Sequence, residues 1–205
     1  AARPPLVSPK MVQAKKYSGS TCMTDKTNAT YGSVSRLNHW LSAVIFASLL
    51  IVGFTLSNDL LPDDQASDVR NLHKATGTLV FFFALWRVTW RLGQGFPPAA
   101  SDRAAWELTL SKIVHGAMLL TLIVIPLSGI TMSLMGGRGI DMYGLFTIPA
   151  FAEMKDLARS ARAVHGYAAY TLVLLITLHI AGALKHALID KDGTLRRMLS
   201  GQTAS

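Results

Sequence analysis

The chain has 205 residues, 50% of them hydrophobic and only 16% charged. Soluble domains carry nearer a quarter charged residues, and disordered chains are far less apolar. One cysteine excludes a disulfide scaffold. The formal charge of +8 would suit nucleic acid, but beside this apolar content it points first to a membrane protein with basic loops on one side.

Residues 1–30 form a separate zone, basic and polar, with Pro4, Pro5 and Pro9. No apolar signal-peptide core precedes Cys22, so neither a signal peptide nor a lipoprotein is indicated. Met23 opens a tail of ordinary length, and the residues before it read as an extension from an upstream start, with a presequence as the alternative. The whole zone is expected to be disordered.

Three runs follow that lack Asp, Glu, Lys and Arg: 37–58, 113–137 and 163–184. Each supplies the roughly 20 residues that a helix needs to cross a bilayer core. A fourth run, 75–86, is short. It reaches spanning length if Lys74, Arg87 and Arg91 lie near its ends and extend their charges to the interface. Alone it would suit a buried soluble helix; between strong neighbours it reads as a span. Trp40, Trp86, Trp90, Trp106 and Tyr143 flank the runs as an aromatic belt does. The expected fold is all-α: an integral membrane four-helix bundle.

Lys and Arg set its orientation. Most of the 20 basic residues fall in the first tail, in the loop between runs two and three, and after run four. The first outer loop carries Asp59, Asp63, Asp64 and Asp68. The positive-inside rule then places both termini in the cytoplasm. This asymmetry accounts for most of the net charge, and no aromatic-basic motif for RNA is present, so no nucleic-acid partner is expected.

All six histidines lie in or beside the runs: His39, His73, His115, His165, His179 and His186. Ionisable groups at membrane depth are costly and default to functional readings. A single histidine at a span end is as readily a hydrogen-bonded interface residue; six placed in this way are harder to explain as packing. His165 and His179 share one helix face, about 21 Å apart along the axis. That distance suits two centres and is too long for one zinc ion. No His-Glu-x-x-His pair and no Cys-x-x-Cys-His motif is present, and iron–sulfur ligation needs more cysteines. Imidazole on haem iron remains the economical reading. Depth matches His73 with His165 on the outer side and His39 with His179 on the inner side. His186 competes for the inner place, and depth alone leaves that choice open.

Gly77, Gly166 and Gly182 stand near the proposed ligands, where a missing side chain lets a flat macrocycle approach; helix packing explains such glycines equally well. Pro126 and Gly129 are expected to bend the third run. Arg36, Lys74 and Arg162 lie close to ligand histidines and are candidates to pair with haem propionates, although span-end cations are more often interface anchors.

These blocks together resemble the bacterial di-haem cytochrome b561 group. Tyr31…Arg36…His39-Trp40 is like the opening of that family's first helix. His73 with Gly77 and Arg87…Arg91 is like the second, and His115 ahead of Pro126 and Gly129 is like the third. His165-Gly-Tyr…His179…His186, followed by Lys191-Asp-Gly-Thr-Leu-Arg-Arg-Met198, is like the fourth helix and its tail. The resemblance covers roughly 31–199; 1–30 has no counterpart, and 200–205 is a short tail.

It implies two haems b, held by His39 with His179 and by His73 with His165. It leaves His186 and His115 for a quinone site or for contacts between helices. The expected function is electron transfer across a bacterial inner membrane, from an outer donor to ubiquinone in a respiratory role. The donor is small, superoxide being an example within the group, or a redox partner protein, as for the related cytochrome b subunits of hydrogenases. Lys74, Arg159 and Arg162 offer a basic mouth for a small anion. The competing expectation is a non-redox transporter that uses membrane histidines for protons or metals; four spans without a repeat weigh against it.

Overall fold

The computed structural model describes residues 31–95, 104–151 and 153–200. The expected disordered segment 1–30 and the tail 201–205 lie outside those residues. The described chain is mostly helical. Its α-helices are α1 Ser33–Ser57, α2 Asp63–Gln94, α3 Ala105–Leu134, α4 Lys155–Lys185 and α5 Thr194–Leu199. A π-helical turn, His186–Asp190, extends α4.

Three helical segments are long and apolar enough to cross a membrane: α1, α3, and α4 with its π turn. α2 is the longest helix at 32 residues, about 48 Å of rise, but it is not among them. Lys74 interrupts its apolar middle on one side, and Arg87 and Arg91 do so on the other. Length is therefore present in all four helices and spanning composition in three.

The bundle is apolar outward, and its apolar interior is interspersed with polar residues. On α1, Leu37, Val44 and Ile51 recur every seventh residue and are exposed, while Asn38, Ser42 and Phe46 are buried. On α3, Ile113, Leu120 and Leu127 face out, and Val114, Thr121 and Ser128 face in. A water-soluble bundle has the reverse pattern; lipid-facing helices pack on small and polar residues because lipid already solvates their aliphatic side chains. Ser42 and Ser128 are satisfied within their own helices: Ser42 Oγ donates to the Asn38 carbonyl at 2.6 Å, and Ser128 Oγ to that of Val124 at 2.7 Å. One core cluster joins all four long helices through Phe46, Val80, Ala84, Leu122 and Leu172.

The all-α expectation misses one feature. Between α3 and α4 the chain forms a short antiparallel hairpin, β1 Ile140–Asp141 with β2 Thr147–Ile148. It turns at Tyr143 and Gly144, with φ of 58° and 74°, a twist that matches paired strands. Its buried residues Ile140 and Met142 pack on Ala75 and Leu134, which caps one end of the bundle. Lys74 Nζ donates to the Gly139 carbonyl at 3.1 Å and ties the hairpin to α2. At the opposite end, Trp40 Nε1 donates to the Met198 carbonyl, and Lys185 pairs with Glu107 at 2.9 Å. That end gathers the start of α1, the end of α2, the start of α3, the end of α4, and α5.

Candidate paired-histidine centres

The antiparallel helices bring five of the histidines into two groups. At the hairpin end, His73 of α2 faces His165 of α4, with ring centroids 6.3 Å apart and planes at 84°. At the other end, His39 of α1 faces His179 of α4 at 6.0 Å. His115 of α3 also reaches His179, at 5.1 Å and 87°.

The first group lines an apolar cavity of about 770 Å³, counting its open side. Gly53, Gly77 and Gly166 share its wall. A Cβ on Gly77 or Gly166 would meet nothing within 4 Å, so both border empty space. His165 is held from α3. Its Nδ1 lies 2.8 Å from the Ile125 carbonyl; a carbonyl only accepts, so Nδ1 carries the hydrogen and Nε2 keeps a lone pair. Ser128 Oγ lies 3.4 Å from the same nitrogen. Gly129 makes the approach feasible, because a Cβ there would stand 3.1 Å from His165 Cε1. Pro126 and Gly129, expected only to bend α3, thus sit against a histidine. Gly53 plays a similar part for His73, whose Cε1 would lie 3.4 Å from a Cβ at that position. Sequence reasoning missed Gly53, although a lone glycine within run 37–58 was the visible signal. The buried His73 Nδ1 has no hydrogen-bond partner among the described residues.

In the second group, His115 Nδ1 donates to the Ser111 carbonyl at 2.7 Å. His186 stands apart: among the described residues, ring contacts join His179 to His39 and His115 but not to His186. Its Nδ1 lies 2.8 Å from Asp190 and 3.0 Å from Asp192. Those donor types can hold a divalent cation, but Lys185 Nζ already sits 2.8 Å from the same Asp190 oxygen.

The cations named from sequence are distributed differently. Arg36 Nη1 donates to the Tyr31 carbonyl at 2.7 Å, and Lys74 serves the hairpin. Arg162 is exposed, as is Arg159, which pairs with Asp156 at 3.2 Å. The residue that sequence reasoning did not single out here is Arg87. Its Nη1 donates to the Asn38 carbonyl at 2.7 Å, immediately beside His39.

The prokaryotic cytochrome b561 family matches residues 30–201. This chain belongs to that family. It is 33% identical over 180 residues to cytochrome b561 homolog 2 of Escherichia coli (strain K12), covering 87% of this chain and 95% of that protein. It is 26% identical over 165 residues to the probable superoxide oxidase CybB of Yersinia pestis, covering 78% and 90%. The chain is accordingly a bacterial membrane electron-transfer cytochrome of a family that binds haem b.

The residues present fit that group. Imidazole nitrogen sits about 2 Å from a bound transition metal, which puts the centroids of two opposed rings about 6 Å apart across one ion. The separations of 6.0 and 6.3 Å satisfy this. The glycine-walled apolar cavity offers a flat group room against the helices, and the unpartnered His73 nitrogen is a donor awaiting a partner.

Proposed function

We propose that residues 31–199 form a four-span bundle with both termini cytoplasmic, holding two haems b in the bacterial inner membrane. α2 is the fourth span, with Arg87 and Arg91 near its inner end and Lys74 near its outer end. The observation that carries the reading is the repetition of one imidazole–imidazole separation at both ends of α4, 6.3 Å and 6.0 Å between ring centroids. His73 and His165 are the outer ligands; His39 and His179 are the inner ligands.

Haem supplies reversible one-electron chemistry at each centre. The chain's part is to place the centres in opposite leaflets, exclude water and fix each imidazole. The Ile125 carbonyl orients His165 and raises its basicity, as outer-shell acceptors do for metal-bound histidine. The helices α1 to α4 keep the path between the centres apolar around Phe46, Val80 and Leu172.

The direction of transfer is from an outer donor to ubiquinone on the cytoplasmic side. Superoxide is the donor named for the Yersinia relative. Arg162 and Arg159, both exposed at the start of α4, favour a small anion there. On the inner side, His186 with Asp190 and Asp192 is placed to hold and pass protons, which quinone reduction consumes. His115 meets His179 edge to face and supports that ring.

Pyridine-haemochrome analysis of the detergent-purified chain tests the reading. It expects two haems b per chain, falling to one in His165→Ala. No haem in a folded chain expressed with haem supplied defeats it.

A further inference from the structure

Arg87 is the one cation on the described helices whose buried donor faces no partner. Its Nη1 donates to the Asn38 carbonyl at 2.7 Å and lies 3.3 Å from Asn38 Oδ1. Its Nε is fully shielded and makes no hydrogen bond among the described residues. No carboxylate among the described residues pairs with it. The neighbouring arginines are engaged elsewhere: Arg91 donates to the Gly95 carbonyl at 2.9 Å and stacks on Tyr31, and Arg36 holds the Tyr31 carbonyl. A part-buried guanidinium with neutral acceptors alone is a costly arrangement, and arginine's planar fork matches a carboxylate best.

We propose that Arg87 binds a carboxylate beside His39, and that this carboxylate is a propionate of the inner haem. The assignment rests on the proposed His39/His179 centre. Asn38 acts as the brace: buried on α1, it holds Nη1 and leaves Nε for the ligand. Arg87 is then a positioning residue, placing positive charge next to one centre and not the other. It opposes oxidation of that haem, since the oxidised iron carries one more positive charge.

The test compares wild type, R87K and R87Q, purified with haem whose propionate carboxyls are isotope-labelled. Haem stoichiometry, potentiometric titration and redox-difference infrared spectra are recorded on each. R87Q is expected to keep two haems and to move the labelled carboxylate band of one. It shifts that haem's oxidised-to-reduced ratio about tenfold toward oxidised, about 59 mV for one electron. R87K keeps the charge, so its potential stays near wild type while the band still moves; it also carries the test if R87Q does not fold. A labelled band unmoved in both variants overturns the proposal even if the potential falls, because Arg87 then acts only as a distant charge. Two haems with unchanged bands and potentials overturn it while leaving the di-haem reading intact. Fewer than two haems in wild type instead removes the inner centre on which it rests.

Discussion

The His165 imidazole donates through Nδ1 to the carbonyl of Ile125, 2.8 Å away on the neighbouring helix. The contact selects the tautomer that leaves Nε2 free, and it exists because Gly129 has no side chain to fend off the ring. Gly129→Ala would place a methyl 3.1 Å from Cε1 and 3.2 Å from Nδ1. The ring must then tilt or leave its acceptor. Losing such an outer-shell bond costs roughly 10–100-fold in metal affinity. Haemochrome assay and redox titration of Gly129→Ala should show partial loss of one haem, the remaining one keeping its potential. Full occupancy with both potentials unchanged would show that the ring needs no orientation.

Gly166 and Gly77 make the complementary case. A Cβ on either would touch nothing within 4 Å, so alanine should be neutral for the fold. Gly166→Leu extends a side chain from that open Cβ position on the cavity wall. We expect the chain to retain its helical circular dichroism and detergent elution while one haem is lost. If the variant keeps both haems, the cavity is not where the macrocycle lies.

Much of this arrangement was legible in the chain. Uninterrupted apolar runs mark α1, α3 and α4, and histidine depth matches His73 with His165, while for His39 it leaves both His179 and His186 open. These are periodic or positional signals, which survive without knowledge of tertiary contacts. The hairpin 140–148 was not legible, because two-residue strands carry no period and its Tyr-Gly turn is weak punctuation. Arg87 was read only as a span-end cation. Its significance lies in a neighbour on another helix, Asn38, and no spacing along one segment reveals that. The same holds for Gly53 against His73.

Lys74 tests the difference between haem contact and scaffold. Its ammonium donates to the Gly139 carbonyl, and Thr76 bonds Tyr143 at 2.9 Å, so α2 grips the hairpin twice. A charged hydrogen bond of this kind contributes about 1.5–3 kcal/mol, at the lower end where it is partly wet. Lys74→Met should therefore accelerate amide hydrogen exchange across residues 139–148 while both haems stay bound. Unchanged exchange with loss of the outer haem would instead put Lys74 on a propionate.

The inner centre has two histidines competing for one place on α4 and its extension, His179 and His186, seven residues apart. Helical periodicity puts them on nearly the same face, which is why spacing does not choose between them. The π-helical turn His186–Asp190 begins only at His186, so the residues between the two histidines are regular α-helix and the contacts of each histidine decide the choice. His186 stands at the start of that turn, beyond the end of α4. It meets Asp190 and Asp192 at 2.8 and 3.0 Å, while His179 keeps His39 at 6.0 Å. His179→Ala should accordingly lose one haem, and His186→Ala should keep two with unshifted visible spectra. If His186 also serves proton delivery, its variant should slow quinone reduction in stopped-flow measurements while reduction of the haems by an outer donor proceeds as in wild type. Loss of a haem in His186→Ala, with His179→Ala fully loaded, would reverse the ligand assignment and place the π turn inside the inner centre.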